Sequence, residues 1–292
     1  MTLHEILLDP FEQFGFMRRA LVASIALACG SGPIGVFLML RRLSLMGDAL
    51  SHAILPGVAA GFLLAGFSLP IMTLGGFVAG LLVAVLSGVS ARFTLLQEDA
   101  GFASFQSISL AVGVLIVAAK GGSVDLLHLL FGSVLAVDDA ALLLAVGSAS
   151  VSLVVVAVIY RPLVIQCFDP AYLRLSSHRG ELWHLIFLAL VVLVLVAGFQ
   201  VLGSLMAVGL MMLPAIAARF WARQVWSLML VAIVLAILSA IVGLLLSFHF
   251  RLPSGPAIVL VAGVIHVVSL VFGPRGGIWS RIRLNNRHYQ EC

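Results

Sequence analysis

Charge is scarce in this sequence. Charged residues make up 10% of 292 positions, against about 25% in a soluble domain. No polar stretch is long enough to fold as a domain beside the apolar ones, so any ATP-using module must be a separate protein. Cysteine is nearly absent. Cys29, Cys167 and Cys292 are the three, scattered without ligand spacing, and they build no disulfide framework. There is no glycine-rich phosphate loop with its lysine and no His-Glu-x-x-His pattern. No nucleophile–base pair stands out. Catalysis by this chain is therefore not expected. A filter-like loop is missing, which argues against a channel. Inverted repeats are not visible, which argues against a proton-coupled secondary transporter.

What fills the sequence is hydrophobic, at 62% of residues. The runs are long and separated by short polar breaks. That pattern reads as membrane-spanning helices rather than a barrel. The fold expected is all-α, a polytopic bundle of eight or nine transmembrane helices in a single domain covering residues 1–292. The spans fall near 20–40, 45–64, 71–91, 103–118, 139–159, 183–200, 226–247 and 257–273. A further apolar segment, 203–218, contains Gly209 and Pro214 and reads as a short or broken helix, because a full span needs about 20 residues. Residues 1–19 mix apolar positions with Glu5, Asp9, Pro10 and Glu12 and read as an interfacial segment. No early cleavable signal is visible, so an uncleaved first helix would insert the chain. Residues 124–135, including His128, read as a short interfacial helix.

Lysine and arginine test the topology. Take nine spans. Loops 41–44, 92–102, 161–182, 219–225 and the basic tail 275–292 then share one side and hold twelve of the sixteen. Cytoplasmic loops carry the excess of these residues. The N-terminus is thus expected outside, and the tail and loop 161–182 in the cytoplasm. Loop 161–182 is the one long internal polar connection and the natural docking surface for a cytoplasmic partner. With eight spans, this loop and the tail would lie on opposite sides, a poorer fit to the charges.

One stretch carries chemistry. Arg41 and Arg42 end the first span; Asp48 and His52 lie in the second. Positions four apart share a helix face. From Arg42 to His52 is ten residues, about 15 Å, which sets His52 near the middle of a roughly 30 Å hydrocarbon core. Ionisable groups at that depth are costly unless they face a polar cavity or an ion. A carboxylate and an imidazole are ordinary ligands for zinc and manganese, and the lack of sulfur disfavours soft ions. A proton relay is the other use of such a pair. His249 and His266 are further metal-ligand candidates, each weighed against a packed or solvated histidine. Glu98 and Asp99 read as an exit pair or a plain surface pair. Met206, Met211 and Met212 could suggest a soft-metal stripe, but core packing is the simpler reading.

Arg41, Arg42, Gly47, Asp48, Ala49, His52, Pro56 and Gly57 together resemble the signature of the membrane permease subunits of bacterial ABC importers for zinc, manganese and iron. Other segments resemble that family in the same order. They are Glu98-Asp99, Asp125-Leu126-Leu127 with Leu130-Phe131-Gly132, Tyr160 with Phe168-Asp169-Pro170, the run from Met211 to Arg219, and 247–255 with Ile258-Val259-Leu260. The resemblance implies an inner-membrane homodimer, two cytoplasmic ATPase subunits and an extracytoplasmic metal-binding protein. No cofactor is held permanently; the divalent metal is cargo, moved by alternating access. Asp48 and His52 fall on the family's metal pair. Phe168, Asp169, Pro170 and Gly180 mark the coupling segment gripped by the ATPase. Zinc is the cargo that the wording of the motifs favours, with manganese or iron as the alternative. One position departs from the family: Arg251 stands where an aspartate is usual, and a cation there would repel divalent ions.

Overall fold

The computed structural model describes residues 9–66, 68–95, 97–119, 137–168 and 180–279. Among the described residues every regular element is a helix. In chain order they are α1 (Asp9–Gln13), α2 (Gly15–Leu40), α3 (Ser44–Ala53), α4 (Leu55–Ala65), α5 (Leu69–Phe93), α6 (Glu98–Ala119), α7 (Asp139–Phe168), α8 (Gly180–Leu202), α9 (Ser204–Ala218), α10 (Val225–Phe250) and α11 (Ser254–Phe272). Eight spans are long and apolar enough to cross a membrane, α3 and α4 counting together as one. In hydrocarbon a helix satisfies its own backbone, which is why such runs fold this way.

The short helix α9 makes a ninth pass. Met206 and Leu210, early in α9, pack with Met17 and Leu202. Ala215 and Ala218, at its other end, pack with Val36 and Leu228. Beyond it, the carbonyl of Phe220 accepts the N–H of Arg275 past the end of α11. So α9 runs beside α2 and α11 from one end of the bundle to the other, in their direction. Its 15 residues reach only about 22 Å at 1.5 Å each. It is lodged in the interior, with Ser204, Ala207, Met211, Pro214 and Ala217 all buried, so it need not match the bilayer by itself. Nine passes put Phe14 and Gly273 at opposite ends.

Close approach of backbones holds the helices together. A Cβ on Gly35 would run into the Met211 carbonyl of α9, and one on Gly57 into the Gly75 carbonyl of α5. Small residues permit this contact, which drives association where lipid is as apolar as leucine.

Two expected boundaries move. The expected interfacial segment 1–19 gives way to helix α2 from Gly15; Arg19 is held there by Asp139 at 3.3 Å. The loop expected at 161–182 is shorter. Helix α7 continues through Pro162 to Phe168, and α8 starts at Gly180. The tail expected from Arg275 keeps a described start, since Trp279 still stacks on Phe272. Residues 124–135, with His128, lie outside the described residues.

Candidate metal site

The site is built on a broken helix. At the end of α2, Arg42 takes φ 60°. Leu43 N–H bonds the Leu38 carbonyl at 2.9 Å and Arg42 N–H the Met39 carbonyl at 3.1 Å. This is the Schellman arrangement that closes a helix, and it turns the chain into α3. Pro56 then ends the pairing: it has no N–H to give the His52 carbonyl. Gly57 N–H bonds the Ile54 carbonyl instead, at 3.1 Å. Ala53 thereby loses its helical partner, and the Ser109 hydroxyl of α6 donates to its carbonyl at 2.9 Å. One turn along α6, Gly113 lies against Pro56, where a Cβ would come within 3.1 Å of its nitrogen.

Helix α3 has two unlike faces. Met46, Gly47, Leu50 and Ala53 are buried. A Cβ on Gly47 would come within 2.9 Å of both the Met211 and Met212 methyls, so those methionines are core packing, as is Met206. The other face carries Leu45, which is exposed, then Asp48 and His52. His52 Nε2 is 3.8 Å from Asp48 Oδ1; the side chains are 32% and 64% exposed respectively. Nδ1 of His52 is buried and without a hydrogen-bond partner among the described residues. Ser51 donates to the Asp48 carbonyl at 2.8 Å, steadying that turn. The pair thus points away from the core of a single chain, toward whatever covers this face.

His249 and His266 are not brought to the pair. Among the described residues no three His, Cys, Asp or Glu side chains converge to hold a metal. His249 sits in the last turn of α10, its Nδ1 2.9 Å from the Leu245 carbonyl. His266 lies against Phe220, at 6.3 Å between rings. Arg251 shapes the backbone. At φ 53° it caps α10, while Ser247 accepts the Leu252 N–H and donates its hydroxyl to the Leu252 carbonyl. Phe168 ends α7, largely exposed, and Gly180 begins α8, buried. Asp169 and Pro170 lie outside the described residues. Asp99 is exposed near the start of α6.

Several polar links escaped sequence reading, three of them near the site or the bundle ends. They are Ser109 on Ala53, Gln200 donating to Thr73 at 3.3 Å, and Arg41 on His184 at 2.6 Å. Each joins residues more than fifty positions apart, so no local pattern announces it.

Comparison with known proteins places this arrangement. Residues 13–273 match the model of the ABC 3 transport family. The manganese import system permease protein ScaB of Streptococcus parasanguinis is 34% identical, over 92% of this chain and 94% of that protein. The chelated iron transport system membrane protein YfeD of Yersinia pestis is 30% identical, over 92% and 89%. The solved structure of PsaBC from Streptococcus pneumoniae in complex with Fab superposes with a TM-score of 0.83 at 29% identity, covering 94% of this chain and 98% of that one.

Proposed function

The chain belongs to the ABC 3 transport family, and on that premise we propose that it carries manganese, with iron as second cargo, through a transient site at Asp48 and His52. It is a multi-pass membrane permease subunit of a metal ABC transporter, and ATP hydrolysis lies in a separate subunit. The zinc preference read from the motif wording gives way, because relatives that match over more than nine-tenths of this chain are named for manganese and iron. Ligand chemistry is compatible: carboxylate suits manganese, and imidazole suits iron.

The observation that carries the proposal is a carboxylate and an imidazole sharing the uncovered face of a largely buried helix, within a span long and apolar enough to cross a membrane. Two donors are too few for a hard divalent ion, which takes six or more. Water, backbone carbonyls or a second copy of the chain facing the first would complete the shell. A homodimer closed over the α3 and α6 faces supplies that cover. The positive-inside rule supports a cytoplasmic location for the end bearing Arg41, Arg42, Arg161, Arg219 and Arg275. Helix α7 stops and α8 starts at that end, and the segment between Phe168 and Gly180 is where the ATPase would dock; an external binding protein would deliver the ion at the other end. The test is reconstitution with the ATPase and binding protein, followed by metal-dependent uptake. Manganese and iron should be taken up and should compete with each other. Uptake of zinc alone would overturn the cargo.

A further inference from the structure

At the end of the bundle where α7 stops and α8 starts, one cluster ties together three parts of the chain. The Arg41 guanidinium donates to Nδ1 of His184, with 2.6 Å between the nitrogens, so that nitrogen carries no proton. The guanidinium carbon also lies 5.1 Å from the centre of the Phe187 ring, within cation–π range. Phe187 packs edge-on against Phe37, with ring centres 6.2 Å apart, and Phe37 packs edge-on against Tyr160 at the same separation. Phe37 and Phe187 are fully buried. Tyr160 is eight positions before the end of α7, and His184 is four positions after the start of α8. Both flanks of the 169–179 segment are therefore fastened to the last turn of α2. That turn leads through the left-handed Arg42 directly into α3, the helix of Asp48 and His52.

We infer that the Arg41–His184 bridge is the link by which displacement of these flanks is passed to the metal-site helix. The inference rests on the reading that an ATPase docks on the 169–179 segment. The aromatic packing around the bridge is apolar and tolerates sliding. A charge-assisted bond shared with a ring face is directional, so α8 cannot shift at His184 without pulling on Arg41. Arg41 ends α2 and His184 lies in the first turns of α8, so the bridge joins two helices. Arg41 and His184 are positioning residues for coupling, and their loss should separate ATP hydrolysis from transport.

The experiment uses the full permease co-reconstituted with its ATPase and binding protein, measuring ATP hydrolysed and manganese taken up together. In His184→Leu and Arg41→Lys the complex should still co-purify and hydrolyse ATP, while manganese moved per ATP falls at least tenfold. His184→Gln, whose amide oxygen can accept from Arg41, should keep most of the coupling. The double variant Arg41→Lys/His184→Leu should be no worse than either single one. An unchanged ratio in the single variants would overturn the inference. So would equal loss in His184→Leu and His184→Gln, or additive losses in the double variant, because either marks plain structural damage. Asp169→Ala and Pro170→Ala form a separate arm. If they leave co-purification intact, the docking reading fails, while the ratio in the Arg41 and His184 variants still decides the bridge.

Discussion

Nε2 of His52 stands 3.8 Å from Oδ1 of Asp48, one helical turn away. That is too long for a hydrogen bond and close to the edge of a metal shell. Donors about 2.0–2.1 Å from zinc lie roughly 3.4 Å apart in a tetrahedron. Cis donors at about 2.1 Å in an octahedron lie roughly 3.0 Å apart. A small side-chain rotation closes the gap in either case. The pair therefore selects against neither geometry, and the cargo has to be argued from ligand hardness and relatives.

Ser109 offers the first test outside the pair. Its hydroxyl satisfies the Ala53 carbonyl stranded by the break at Pro56. Ser109→Ala should lower stability by about 1 kcal/mol, in the range measured for hydrogen bonds within membranes, while Ser109→Thr should retain most of it. Detergent-solubilised unfolding curves check this. The Ala variant should also raise the manganese concentration for half-maximal uptake, because the turn carrying His52 is no longer pinned to α6.

Gly57 and Gly75 meet backbone to backbone. Gly57→Leu should cost on the order of 3 kcal/mol through forced separation of α4 and α5, seen as low yield of monodisperse protein. Gly88, which a Cβ would leave in open space, is the control: Gly88→Ala should behave as the parent.

Arg42 and Arg251 both hold left-handed backbone, a conformation costing roughly 1–2 kcal/mol for residues with a Cβ. Arg251→Gly should raise the melting temperature and leave uptake unchanged, since Arg251 caps α10. A fall in manganese uptake without loss of stability would instead put its charge in the ion path.

The helices were legible in the sequence because long apolar runs leave few alternatives, and the Asp48–His52 register followed from helical periodicity alone. The end of α7 was not legible. Residues from 161 on were read as a polar loop, yet the helix carries Pro162 within it through to Phe168. Segment 203–218 read as short or broken, and only the loop charges argued that it crosses; burial by α2, α10 and α11 is what lets so short a helix do so, and burial is a tertiary property. His249 and His266 look like ligands in sequence, but each sits on another helix with its own neighbours. Arg251 read as an electrostatic anomaly, and only the dihedral reveals a cap.

The central claim is that Asp48 and His52 handle the ion. The most direct measurement is manganese uptake into proteoliposomes holding the complete transporter, comparing Asp48→Asn and His52→Ala with the parent at matched amounts of intact complex. The account requires uptake to fall at least about tenfold in both, the lower end being what even an outer-shell partner is worth, with the ATPase still bound. Parental uptake by either variant would contradict it.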